Sequence, residues 1–195
     1  MIHEFSYDIA VIGAGAAGLA AAAETAKSPF RTVVIDREDQ LGGILRQCIH
    51  NGFGLRYFKE ELTGPEYADR VAALAAKPNV EFKTGTAVTE IKRLPDNGFE
   101  LLAFSAAEGV SRIRARALFL GMGCRERNRG NLAIPGSRPA GIFTAGAAQK
   151  LLNIEGMLPG KSAVIVGSGD IGLIMARRLR WSGVVVKAVV EIMAH

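Results

Sequence analysis

Two glycine-rich turns, GAGAAG at 13–18 and GSGDIG at 167–172, predict an α/β chain with two Rossmann-like dinucleotide-binding folds in tandem. Each turn follows an apolar run of buried-strand length and opens a helical stretch. After each helix comes a second apolar run that ends in an acid, Asp36 or Glu191, about 20 residues beyond the turn. A lone pattern of this kind is weak; repetition with the same strand, helix and acid context makes it specific.

The first unit starts with the strand Ile9–Ile12, which meets Gly13-Ala14-Gly15-Ala16-Ala17-Gly18. Gly13 permits the tight turn, Gly15 lets the backbone approach a pyrophosphate, and Gly18 allows the helix to pack on the strand. The helix N-terminus offers unpaired N–H groups and the positive end of its dipole to an anion. The alanine-rich helix is expected to stop at Ser28-Pro29, and strand Thr32–Ile35 to end at Asp36-Arg37. Gly64-Pro65 then opens a helix over Glu66–Lys77, with Tyr67, Val71, Leu74 and Ala75 on its apolar face. Strands are expected at 80–83, 87–94 and 99–104, the last two joined by the hairpin signal Pro95-Asp96-Asn97-Gly98. Arg112, Arg114 and Arg116 alternate with apolar residues. Their basic stripe reads as a solvated strand face rather than a site for nucleic acid or an acidic partner.

The second unit repeats the scheme with strand Ala163–Val166, the turn Gly167–Gly172, and a helix presenting Ile171, Ile174, Met175 and Leu179. Gly183 stops that helix and strand Val184–Val190 ends at Glu191. A carboxylate there favours a free ribose 2′-hydroxyl and hence NAD, since a 2′-phosphate would be repelled. Asp170 fits a phosphate site poorly and either caps the helix or faces a substrate.

Composition sets outer bounds. A chain of 195 residues that is 49% hydrophobic can bury a sizeable core, and its net charge of +5 invites anionic ligands. The uncharged stretch 9–23 is shorter than the roughly 20 residues that span a bilayer, and acids rather than a basic segment precede it. Two cysteines make no secreted-type disulfide framework. A soluble, cytoplasmic protein is expected, with small-molecule nucleotides as ligands and no membrane span.

The polar cluster Arg46, Cys48, His50 and Asn51 follows Gly42-Gly43 in GGILRQCIHNGFG. Cys48 and His50 are too few ligands at short spacing for a metal site.

The paired turns, Gly42-Gly43 and the run LFLGMG at 118–123 resemble the pyridine nucleotide-disulfide oxidoreductase superfamily. LRQCIHNGFG, LTGPEYADRV, GMGCRERNRG and VGSGDIGLIMARRL are similar to its NAD/FAD-dependent dehydrogenases that accompany anaerobic glycerol-3-phosphate dehydrogenase. Flavin subunits of opine, proline and cyanide-forming amine dehydrogenases belong to the same broad branch.

The resemblance implies FAD on the first fold and NAD on the second. Gly13, Ala14, Gly15, Ala16, Ala17 and Gly18 would hold the FAD pyrophosphate, and Asp36 with Arg37 would meet its ribose. Gly42, Gly43 and Arg46 would run along the pyrophosphate or flavin edge, with Ala87 and Val88 near the adenine. Gly121-Met122-Gly123 stands where the superfamily closes over FAD with Ala-Thr-Gly. Gly167, Gly169, Gly172 and Glu191 would form the NAD site. Arg125, Arg127 and Arg129, after that triplet, are candidates for the domain hinge, either in a solvated loop or as phosphate contacts.

Against the superfamily, Cys48 lacks the partner that a redox disulfide needs. Two readings stand: Cys48 and His50 border the flavin, or Cys48 is a structural thiol packed on the first helix. The implied organisation is an FAD-binding segment at 1–125, a connecting segment at 126–160, and the start of an NAD domain at 161–195. The chain would then be a piece of a longer polypeptide, an incomplete gene model or one half of a split gene. The implied activity is hydride transfer between NAD(H) and FAD, with electrons passed to a partner subunit or acceptor. An amine, opine, proline or thioredoxin-type oxidoreductase is one alternative; a non-catalytic nucleotide-binding subunit is the other.

Overall fold

The computed structural model describes residues 2–193; Met1, Ala194 and His195, at the outer limits of the expected FAD and NAD segments, lie outside the described residues. Two compact units divide at residues 123 and 124. In the first, β1 (Ile2–Ile12), α1 (Ala16–Thr25), β2 (Thr32–Ile35), α2 (Gly64–Ala75) and β3 (Val80–Lys83) make two successive strand–helix–strand crossovers. β4 (Thr86–Arg93), β5 (Phe99–Ser105) and β6 (Gly109–Leu120) follow. The sheet order is β3-β2-β1-β6-β5-β4, parallel from β3 to β6 and antiparallel through β5 and β4. This mixed α/β sheet is the expected Rossmann-like class, with strands three, two and one side by side as in a mononucleotide-binding half.

Alternation of side chains explains both faces of the parallel strands. Val11 and Val34 point to one face and pack with Leu19, Ala22 and Ala23 of α1 and Val71 and Ala75 of α2. Ala10, Ile12, Val33 and Ile35 point to the other, where Leu101, Ala103, Ile113 and Ala115 cover them. The antiparallel strands therefore take the place that helices hold in a doubly wound sheet.

Several boundaries differ from expectation. β1 starts at Ile2, because His3, Glu4 and Ser6 pair with β6 on one side while their side chains stay accessible. α1 ends at Thr25, short of Ser28-Pro29; the Thr25 hydroxyl donates to the Ala22 carbonyl and Ser28 N–H turns back to Thr25. α2 starts at Gly64 and ends at Ala75, fixed by a capping box in which Thr63 and Glu66 satisfy each other's N–H groups. Its buried face uses Ala68, Val71 and Ala75, whereas Leu74 is exposed. The hairpin forms as expected, with Asn97 in the left-handed region at φ 66°.

The second unit contains α3 (Ala145–Asn153), β7 (Ser162–Val166), α4 (Asp170–Trp181) and β8 (Val185–Val190), with β7 and β8 parallel. Leu152, Met175, Leu179 and Val184 form its core. α3 lies within the expected connecting segment, for which no helix is expected from the sequence. Ile171, expected on the packed face of α4, is exposed. α4 ends in a Schellman motif: Gly183 N–H donates to Arg180 and Val184 N–H to Leu179, with Val184 packed on Leu179.

Candidate dinucleotide sites

The two glycine turns are built alike. Gly13 N–H donates to the Ile35 carbonyl at 2.7 Å, and Gly167 N–H donates to Val190 at 2.8 Å, so each turn is tied to the neighbouring strand's end. A Cβ on Gly18 would fall 1.7 Å from the Gly13 carbonyl oxygen; one on Gly172 would fall 2.3 Å from that of Gly167. These third glycines are fixed by packing alone. Gly15 and Gly169 differ: a Cβ on either meets nothing within 4 Å. The empty space lies over the helix start, where the fingerprint requires a pyrophosphate.

Capping draws the same distinction. α2 and α3 have Thr63 and Thr144 side chains accepting from their first-turn N–H groups. α1 and α4 begin at Gly15 and Gly169 with no side-chain cap hydrogen bond. Their first-turn donors remain for an anion. Asp170 supplies no cap; it stands exposed in the first turn of α4.

Both strand-end acids reach back to their turns. Asp36 Oδ2 accepts from Ala14 N–H at 2.6 Å and Oδ1 from Glu38 N–H at 2.9 Å. Glu191 Oε2 accepts from Ser168 N–H at 2.9 Å and from the Ser168 hydroxyl at 2.8 Å. These bonds, with those from Met193 and Ile192 N–H, hold the Glu191 carboxyl down at about 2.

Around the first turn, Gly42 N–H donates to the Ala14 carbonyl, and a Cβ on Gly43 would lie 3.2 Å from the Gly15 Cα. Gly121 N–H continues the β1–β6 pairing by donating to Ile12 at 2.7 Å, and a Cβ on Gly13 would stand 2.4 Å from the Gly121 carbonyl. Gly42, Gly43 and Gly121 thus gather at the first turn, while Met122 is exposed. Thr86 N–H donates to the Asp36 carbonyl, which brings the Ala87–Val88 end of β4 to the acid's loop. Ala16 and Ala17 lie exposed on the first turn of α1, and Arg37 is an exposed partner of Glu38.

Arg46 serves the local fold: its Nε donates to the Leu41 carbonyl and its guanidinium pairs with Asp69 of α2 at 2.7 Å. Cys48 is buried against the start of α2. Its carbonyl accepts from Gly64 N–H at 2.9 Å, and burial pushes its thiol up. His50 is half-buried, with Nδ1 2.9 Å from the Asn51 carbonyl and its ring 5.3 Å from that of Phe53. Arg125 and Arg127 are exposed, and Arg129 donates to the Gly136 and Ser137 carbonyls. No group of three metal-ligating side chains occurs among the described residues.

The arginine stripe is neutralised. Arg112 pairs with Glu4 and Glu100, Arg114 with Glu100, and Arg116 with Asp8. A second polar cluster has no counterpart in the sequence motifs. Lys83, nearly buried, meets Glu108 at 2.8 Å, Glu81 at 3.3 Å and the Phe5 ring at 4.0 Å. The Tyr7 hydroxyl donates to Glu81 at 2.6 Å; burial and that carboxylate push its phenol well up. Glu81 and Lys83 are two apart on β3, but tertiary pairing brings Phe5, Tyr7 and Glu108 to them, so no sequence spacing marks the cluster. Among the described residues no helix is long and apolar enough to cross a membrane.

The family model for pyridine nucleotide-disulphide oxidoreductases matches residues 7–194. An opine oxidase subunit from Agrobacterium tumefaciens (strain Ach5) is 30% identical over 184 residues, which cover 91% of this chain and 35% of the relative. Thioredoxin reductase of Bacillus subtilis (strain 168) is 29% identical over 171 residues, covering 87% and 49%. In fold, L-proline dehydrogenase from P. horikoshii matches with a TM-score of 0.75 at 19% identity, over 98% of this chain and 36% of that one. The chain thus spans less than half the length of the curated relatives named here.

Proposed function

Because the chain belongs to the pyridine nucleotide-disulphide oxidoreductase family, we propose that it is part of an oxidoreductase carrying FAD on its first glycine turn and NAD on its second. The observation that carries this reading is the pair of uncapped helices, each with open space over the middle glycine and an acid at the neighbouring strand end. When bound, the two cofactors would supply hydride chemistry, NAD(H) exchanging a hydride with FAD.

The chain's own residues bind and orient. First-turn N–H groups of α1 and α4 meet the pyrophosphates, and Asp36 and Glu191 accept from ribose hydroxyls. Gly42, Gly43, Arg46 and the Gly121–Gly123 segment border the first site, with Arg37 and the Ala87–Val88 backbone toward the adenosine end. Cys48 and His50 remain candidates beside the flavin; the burial of Cys48 under α2 favours a packing role for the thiol. Residues 1–125 form the FAD segment, 126–160 the connection and 161–195 the start of the NAD domain.

The electrons pass to a partner subunit or acceptor in a cytoplasmic enzyme. The proposed setting beside an anaerobic glycerol-3-phosphate dehydrogenase is supported by the resemblance of LRQCIHNGFG, LTGPEYADRV, GMGCRERNRG and VGSGDIGLIMARRL. A second reading, the flavin subunit of an opine- or amine-type dehydrogenase, is favoured by the similarity to the Agrobacterium opine oxidase.

The test uses the full-length protein under anaerobic conditions. Bound yellow FAD that bleaches rapidly with NADH supports the first reading. Bleaching by an opine or amine but not by NADH supports the second. A colourless protein that cannot be reconstituted with FAD overturns both.

A further inference from the structure

Asp36 and Glu191 hold equivalent places, but their acceptor positions are not equally filled. A carboxylate offers about four lone-pair positions. Among the described residues Asp36 receives two donors, Ala14 N–H and Glu38 N–H. Glu191 receives four: Ser168 N–H and the Ser168 hydroxyl on Oε2, and Ile192 N–H and Met193 N–H on Oε1. A ribose hydroxyl reaching Asp36 finds room. One reaching Glu191 has to displace a donor already in place.

Three of the four donors on Glu191 are backbone N–H groups fixed by the chain. The fourth is a hydroxyl, which rotates about a single bond to suit its surroundings. We propose that Ser168 is a specificity-determining residue of the second turn. Its hydroxyl occupies the ribose-accepting position of Glu191 and yields it to the 2′-hydroxyl of an incoming dinucleotide. The inference rests on the reading of this turn as a NAD site. Ala14, at the same place in the first turn, has no hydroxyl, so the first site has no such competitor. A 2′-phosphate gains nothing when the serine hydroxyl leaves, because it brings negative charge and no donor to an ionised carboxylate. Ser168 therefore lowers affinity for the preferred dinucleotide without altering exclusion of the phosphorylated one.

The test compares the full-length parent with Ser168→Ala and Ser168→Thr, all with oxidised flavin, by calorimetric titration with NAD⁺ and NADP⁺. Loss of one competing hydrogen bond to a charged acceptor should tighten NAD⁺ binding by about three- to tenfold in the alanine variant. The threonine variant should match the parent, and NADP⁺ binding and the FAD-to-protein ratio should not change. The inference is overturned if the alanine variant binds NAD⁺ within about twofold of the parent or more weakly, or if NADP⁺ gains equally. A flavin-loaded parent that binds neither nucleotide overturns the NAD reading of the second turn and the inference with it.

Discussion

A Cβ on Gly18 would stand 1.7 Å from the carbonyl oxygen of Gly13, whereas a Cβ on Gly15, three residues earlier, would touch nothing. One turn therefore contains a glycine required by the fold and another with open space beside it, which the proposed reading gives to the pyrophosphate. Gly18→Ala should destabilise the first unit by several kcal/mol or prevent its folding, since backbone rather than a flexible side chain opposes the methyl. Gly15→Ala should leave thermal stability within about 1 kcal/mol of the parent while lowering FAD occupancy after reconstitution. Denaturation midpoints and the flavin-to-protein absorbance ratio report both; equal loss of stability in the two variants would contradict this division.

Lys83 makes a different prediction. Its nearly buried ammonium is satisfied by Glu108 and Glu81. Glu108→Ala strips one partner from a desolvated charge and should cost about 1–3 kcal/mol. Lys83→Met removes the charge itself and leaves two carboxylates that reach solvent, so its cost should be smaller. Urea titrations of the two variants give the order; a costlier methionine variant would refute it.

The cysteines should separate kinetically. Cys124 is exposed; Cys48 is buried, with its thiol pushed up by burial. A thiol reagent at neutral pH should label one equivalent rapidly and the second only as the protein unfolds. Cys124→Ser should abolish the fast phase and Cys48→Ser the slow one.

Glu191 links the second turn to pH. Its carboxyl is lowered from the usual 4.5 to about 2, first by the Ser168 N–H and then by the other donors. A depressed carboxyl contributes stability that is complete above its unfolded value and is lost as pH falls through its folded one. Acid loosening of the turn should therefore run between about pH 4.5 and 2. Trp181, the single tryptophan, lies on the adjoining helix, and its fluorescence reports the change. Glu191→Gln should flatten the profile across that window.

Much of this was legible in the sequence because it is local. Gly13, Gly15 and Gly18 sit at fixed offsets from a strand and an acid, so the turn, helix start and strand end follow from spacing. The Asn97 hairpin and the Gly183 stop are equally local. The N-terminal half of β1 escapes sequence reading because His3, Glu4 and Ser6 break the apolar run, and only pairing with β6 makes them strand. α3 carries a short, mixed apolar pattern, while its Thr144 cap and the bond from Gly146 N–H to Glu126 are visible only in three dimensions. Leu74 and Ile171 fall on helical spacing but outside the buried arc of their helices. Lys83 and Glu108 meet through tertiary packing, which no periodicity encodes.

The paired arginines of β6 do something besides cancelling charge. Arg112 and Arg116 meet Glu4 and Asp8 of β1, while Arg112 and Arg114 share Glu100 of β5. Sliding β6 by one residue along either neighbour would turn these arginines toward Leu101 and Ala103 and present Ile113 and Ala115 to water. The alternation thus works as a keyed joint between the parallel and antiparallel halves of the sheet: a misaligned strand is penalised on both faces at once. The chain so aligned delivers Gly121 to the first glycine turn, and the geometry of that turn is set in part by charges earlier on the same strand.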